Sequence, residues 1–128
     1  MASLLEDLEG IIVALGCATA DGVDIFRDSM PDTPNNAIAL YEYFGEPFQS
    51  AEGIFRSVQV KVRRDTYSIA RADSWQIYDA LHNPDDKIFT LGQRPALIFV
   101  RNTPTKLDTD STGRTTFYFN MNITTKLD

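Results

Sequence analysis

Histidine and cysteine each occur once in these 128 residues, and acidic side chains outnumber basic ones by 18 to 12. Each scarcity closes off a class of function. With His82 alone, a histidine-based metal site or catalytic triad has no second member to build on. Its place before Asn83-Pro84 suits a helix end, where an imidazole meets the negative pole of the dipole. A lone Cys17 rules out an intrachain disulfide and a multi-cysteine zinc site; it is expected to pack as a small hydrophobe in the first helix. No stretch approaches the roughly 18 consecutive apolar residues of a membrane-spanning helix. A net charge of −6 and a pI near 4.6 leave no broad basic face for gripping phosphates. Nucleophile elbows, Walker loops and dinucleotide-binding glycine motifs are all missing. The first residues carry Glu6 and Asp7 where a signal or transit peptide would carry base, so the protein is expected to act where it is made.

What is present is patterning. An apolar fraction of 43% suffices for one core, and the length fits one domain. Ser3 and Glu6 form a capping-box pair, after which Leu4, Leu8, Ile11, Ile12 and Leu15 recur on one helical face. Gly16 or Gly22 can end that helix in a left-handed turn. A short strand is expected at Val23–Arg27, then a loop over Asp28–Asn36 marked by Pro31 and Pro34. In Ala37–Phe44 alternation puts Ile38, Leu40 and Phe44 on one face and Tyr41 and Tyr43 on the other. A loop follows at Gly45–Gly53. From Ile54 to Arg63, Val58, Val60 and Val62 oppose Gln59, Lys61 and Arg63, the pattern of a sheet buried on one side.

Asp65 is the expected N-cap of a second helix. On it Tyr67, Ala70, Ser74, Ile77, Tyr78 and Leu81 share an arc, with Trp75 at its edge. Strands are expected at Lys87–Leu91 and at Pro95–Asn102, the latter apolar on both faces and therefore central. Thr103–Thr112 reads as a polar loop. In Arg114–Thr125, Phe117, Phe119, Met121 and Ile123 point inward. The fold class that follows is α+β in a single domain. Two helices pack on one face of a mainly antiparallel or mixed sheet, in the order α-β-β-β-α-β-β-β.

Few side chains invite chemistry. Asp108, Asp110 and Gly113 are spaced like the start of a calcium loop, but its twelfth position, where a bidentate glutamate belongs, is Phe119 in a strand. The segment reads as a polar hairpin tip. Asp79, Asp85 and Asp86 lie around a helix end, where carboxylates are solvated. Lys61, Arg63, Arg64 and Arg71 are too few for a nucleic-acid patch and read as an exposed sheet face or a set of ion pairs. Tyr41, Tyr43 and Phe55 lie opposite the apolar face of their strands, and Trp75 flanks the second helix. Such residues anchor protein interfaces.

Three stretches carry a family resemblance. Val60-Lys-Val-Arg-Arg-Asp-x-Tyr67-x-x-Ala70, continued by Ile77-Tyr78-x-x-Leu81, resembles the strand-helix signature of the tail terminator (minor capsid) proteins of long-tailed bacteriophages. Pro31-Asp-x-Pro34-x-x-x-Ile38-x-Leu40, with Gly45-x-Pro47, is similar to that family's loop and early strand. Asp110-x-x-Gly113-Arg114-x-x-Phe117-x-x-Asn120 is similar to its closing strand. These stretches lie within residues 31–123, and Gln49–Ile54 matches nothing in the pattern. The resemblance implies a homohexameric ring on the upper end of the tail tube, stopping its polymerisation and offering the surface to which a filled head joins. It also implies no catalysis and no cofactor. The implied partners are the tube protein, a head-completion or connector protein and further copies of the chain, with DNA sliding through the acidic ring without specific binding and no membrane involved. The implied location is the virion, reached from the host cytoplasm during assembly. On this reading Tyr41, Tyr43, Phe55, Trp75, Lys61 and Arg63 are the interface candidates, and the Asp28–Asn36, Gly45–Gly53 and Thr103–Gly113 loops contact tube and head, mobile until they dock. Competing readings are another head-tail connector, such as a stopper, and a small monomeric binding module or enzyme.

Overall fold

The computed structural model describes residues 4–43, 49–50, 53–82, 88–91 and 94–125. Helix α1 (Leu4–Ala14) precedes β1 (Ile25–Arg27), β2 (Ala37–Tyr43), β3 (Gln49–Ser50) and β4 (Gly53–Arg64). Helix α2 (Tyr67–Leu81) then leads to β5 (Phe89–Leu91), β6 (Arg94–Val100), β7 (Thr105–Thr109) and β8 (Thr115–Thr125). The strands form one sheet in the order β1-β2-β4-β8-β6-β5, with β3 added to β4 and β7 to β8. Among the described strands β1 and β2 pair in parallel and the other pairs are antiparallel, so the sheet is mixed and mainly antiparallel.

Alternation sets one face of this sheet. Val62 pairs with Ile38 and Phe117, and Val60 with Leu40 and Phe119. These residues are buried, and all but Phe117, which meets Tyr67 of α2, join Val58, Met121, Ile123 and Ile98 in one core with Leu4, Leu8 and Ile12 of α1 and Ile77 and Leu81 of α2. The two helices therefore cover the same face, as their apolar arcs require. At the end of α1, Gly16 at φ 83° lets its own N–H reach Val13 O while Cys17 N–H reaches Ile12 O. That pair of bonds is the Schellman arrangement, which needs a left-handed residue best supplied by glycine.

Several expectations shift. Cys17 lies past the end of α1, half-buried against the core, instead of within the helix. The N-cap of α2 is Thr66, whose hydroxyl accepts from Ile69 N–H, and not Asp65. Asp65 is taken up by Asn36, which accepts from its N–H and donates to its carboxylate. Tyr67, placed on the buried arc, is half exposed, its ring set 5.3 Å from that of Phe117. Two strands, β3 and β7, lie within expected loops, so among the described residues four strands precede α2 and four follow it. The central strands are β4 and β8, while β6 is one place from the edge, and its apolar second face is accordingly uncovered at Phe99. Ser3, Phe44, Asp85 and Asp86 fall outside the described residues.

The break between β6 and β7 explains why Thr103–Thr112 reads as a loop. Both strands run along the same side of β8, Val100 pairing with Met121 and Thr105 with Tyr118. Residues 101–104 bulge between them, yet the ladder stays satisfied. Arg101 N–H donates to Asn120 O at 2.7 Å, and Asn102 Oδ1 accepts from Asn120 N–H at 2.8 Å. All five residues of β7 are exposed, so no apolar period announces the strand.

Candidate functional site: the open face of the sheet

The sheet face opposite the helices is built by the alternate residues that the core leaves over. Register lines them up in rows. Tyr43, Ser57, Asn122 and Phe99 form one row, Tyr41, Gln59 and Asn120 the next, and Ala39, Lys61 and Tyr118 a third. Ser57 donates to Asn122 Oδ1 at 3.1 Å, locking the centre. The Lys61 ammonium stands 5.0 Å from the centre of the Tyr41 ring, a cation–π contact made diagonally across β2 and β4. Burial raises the Tyr41 phenol above its ordinary pKa, so it remains a neutral hydroxyl.

The composition of this face is unusual for so acidic a chain. At the alternate positions of β2, β4, β8 and β6 from Ala37 to Tyr43, Ser57 to Arg63, Thr116 to Thr124 and Leu97 to Phe99, no carboxylate occurs. Tyrosines, amides and hydroxyls fill it instead, with Tyr43 and Phe99 about two-fifths exposed at its margins.

Arg63 closes one end of the face and differs from its neighbours. Its guanidinium turns onto the carbonyl oxygens of Pro31 at 2.6 Å, Pro34 at 2.7 Å and Asn35 at 3.0 Å, and the residue is only 7% exposed. Burial lowers its pKa from the ordinary arginine value, with the nearby Arg114 adding to the effect. Arg114 ties the same loop from the residue before β8, donating to Asp32 O at 2.6 Å and Asp32 Oδ1 at 2.9 Å. The Asp28–Asn36 loop is thus held by two guanidinium groups. The Gly45–Gly53 loop lies largely outside the described residues.

The interface candidates divide accordingly. Tyr41, Tyr43 and Lys61 come together on the open face, and Arg63 serves the loop beside it. The Phe55 side chain lies outside the described residues. Trp75 sits in the helical layer, across the sheet from the tyrosines. There it packs edge-on to Tyr78 with ring centres 5.1 Å apart, and the Arg71 guanidinium carbon lies 5.6 Å from its ring centre. Gln59, Tyr118, Asn120, Asn122 and Phe99 complete the face. Their alternation was visible, but which strands lie side by side was not.

The chemical candidates resolve into structural roles. His82 caps α2 and stacks on Tyr78, ring centres 4.9 Å apart. Among the described residues no group of three or more His, Cys, Asp or Glu is placed to hold a metal. The Asp110 carboxylate accepts from Thr112 N–H and Oγ1 and from Arg114 N–H and Nε, which holds it far below the usual carboxylate range. Its lone pairs are spent on the hairpin turn, as expected for a polar tip. Arg64 pairs with Asp73 at 2.7 Å and reaches Cys17 O, so it is an ion-pair residue and buried. A groove of about 540 Å³ beside α1 and β1 is lined by Leu5, Asp21, Phe26, Arg27, Glu42 and Arg56 among others. Among its charges Arg56 pairs with Glu42 at 3.0 Å and Arg27 with Asp21 at 3.3 Å.

Comparison with known proteins adds three findings. The profile of a family described as bacteriophage tail terminator protein matches residues 14–127. Of the solved structures, a chain from the virion of a native gene transfer agent (GTA) particle superposes with a TM-score of 0.63 at 14% identity, covering 98% of this chain and 92% of that one. A second superposes at TM-score 0.52 and 14% identity over 96% of each chain. At such identities the likeness is one of fold. No curated protein matches the sequence.

Proposed function

The chain belongs to the bacteriophage tail terminator family, and from that premise we propose that it closes into a ring which caps the tail tube and offers the surface for head joining. It is a structural protein of the phage tail, and its family is not one of enzymes. In this reading the partners are further copies of the chain, the tube protein and a head-completion protein. DNA passes the ring unbound, and no cofactor takes part.

The observation that carries the proposal is the open face, whose four main strands present tyrosines, amides and hydroxyls but no carboxylate, with acid entering only at its rim, where Asp108 of β7 lies opposite Thr116. Subunits of net charge −6 repel one another, and the repulsion is least where the contact surface holds no acid. Tyrosine and amide groups there provide contact area and hydrogen bonds suited to an interface. With strands ~4.8 Å apart and a rise of ~3.4 Å per residue, four strands over seven residues present roughly 450 Å². A standard interface needs about 800 Å² per partner. The face therefore supplies about half of what a stable contact requires, and the remainder comes from elsewhere on the subunit. A closing ring is heterologous, so the face meets a different patch on the next copy. The sheet edges at β1 and β5 are the natural complement.

The test has two arms. Light scattering of the purified chain is expected to detect hexamers, and Tyr41→Ser with Tyr43→Ser to reduce them without unfolding the domain. Hexamers unchanged in that double variant would remove the open face from the interface. Separately, the wild-type protein is expected to bind the ends of headless tails and stop their extension. Binding to heads and not to tails would replace the terminator reading with that of a head-completion protein.

A further inference from the structure

A cluster of charge lies across the sheet from the open face, where α1 meets β1. Glu9 of α1 is 5% exposed, and its Oε1 lies 3.2 Å from Arg27 Nε on β1. The same guanidinium also holds Glu6 at 3.0 Å and Asp21 at 3.3 Å. Three carboxylates thus surround one cation, and one of the three is shut away from water.

The second oxygen of Glu9 is buried without a hydrogen-bond donor among the described residues. Its carboxyl neighbour is Asp21, because the two groups meet the same guanidinium, Glu9 at Nε and Asp21 at Nη2, and a bond between two carboxyl groups forms only when a proton lies between them. An ionised Asp21 has no hydrogen to offer. A buried carboxylate oxygen lacking a donor is costly, and a proton shared with Asp21 satisfies it. The other charges nearby are already engaged. Asp24 accepts from the Thr19 and Ala20 amides, Glu42 pairs with Arg56, and Asp28 accepts from the Glu42 N–H.

We propose that Glu9 and Asp21 share a proton beside Arg27, and that losing it loosens α1 from the β1 edge of the sheet. The two carboxylates sit on different elements, α1 and the turn before β1, so their mutual repulsion acts to part those elements. The device bears on the sheet edge because β1 is the outermost strand there.

The direction with pH follows from the shifts. Burial, reinforced by Asp21, lifts Glu9 from an ordinary 4.5 to about 7, with Arg27 opposing. Between those values folded Glu9 keeps a proton that the unfolded chain releases, so stability falls as pH rises through the window. Asp21 is shifted down, by its bond to Glu9 and then by Arg27, and its contribution is lost only in more acid solution. The interval above pH ~4.5 therefore isolates Glu9.

The experiment uses the intact chain. The Glu9 side-chain carboxyl, followed by carbon NMR, is expected to titrate near neutrality, and Asp21→Asn to move its midpoint down. Thermal melts between pH 5.5 and 8.0 should show a falling Tm in the wild type and a flat one in Glu9→Gln. Amide exchange, corrected for intrinsic rates, should show protection of α1 dropping above neutral pH relative to β4 and β8. A Glu9 midpoint near 4.5 in the wild type would overturn the proposal even if a variant failed to fold. An equal Tm slope in Glu9→Gln, or α1 protection that follows the rest of the sheet, would do so as well.

Discussion

Replacing Arg63 with alanine removes the guanidinium that three loop carbonyls share, and the structure allows the cost to be estimated. Hydrogen bonds from a charged donor contribute ~1.5–3 kcal/mol each. Three of them, at 2.6, 2.7 and 3.0 Å, would sum to several kcal/mol if independent. They are not independent, because one side chain makes them all and truncation also recovers the cost of burying its charge. The freed carbonyls belong to a surface loop in which Pro34 and Asn35 are exposed, so water replaces part of what is lost. A net loss of about 3 kcal/mol remains. For a domain of this size that corresponds to a fall in Tm of roughly 10 °C. Circular dichroism melts at pH 7 measure it, and amide exchange in residues 28–36 reports whether the loop has come loose. Arg63→Lys should recover less than half, because a compact ammonium cannot span carbonyls that a planar fork reaches together. A melt within 1 °C of the wild type, or loop amides as protected as before, would refute the idea that Arg63 staples this loop.

Phe119→Ala, at a wholly buried position on central β8, should cost about 3–5 kcal/mol by lost burial and a residual cavity, read as the shift in a urea denaturation midpoint. Asp110→Asn tests the hairpin turn. The pKa of Asp110 is depressed by its bonds to Thr112 and Arg114, so its contribution is present above the ordinary value of 3.8 and lost as the solution becomes more acid. The variant should melt lower at pH 7 and show a shallower decline in Tm between pH 5 and 2; an acid limb as steep as the wild type's would count against the role of this carboxylate.

Much of the architecture was legible because it is encoded in short-range periodicity. Leu4, Leu8 and Ile12 repeat at helical spacing and all reach the core. Val58, Val60 and Val62 alternate with polar residues, as Phe117, Phe119, Met121 and Ile123 do, and each set lies on the helix-covered face. The strand β7 was not legible, because a strand that buries nothing has no reason to alternate. Thr66 outranked Asp65 as a cap through a distant partner, since Asn36 claims Asp65 from across the fold. The candidate site was half visible. Tyr41, Tyr43 and Lys61 were placed on one face from their own strands, while Asn120, Asn122 and Phe99 joined them only through register.

The linear order of residues by itself determined which segments are helices or strands and which side of each is apolar, because the pleat and the helical turn impose those periods locally. It also set the balance of charge and the poverty of reactive groups. The folded chain alone decided that β8 lies between β4 and β6, that the leftover faces of β2, β4, β8 and β6 merge into one surface rich in tyrosine and amide, and that Arg63 is spent on a loop some thirty residues away. Neighbour order, register and the partner of a long side chain depend on contacts between segments remote in sequence, and no local pattern records them.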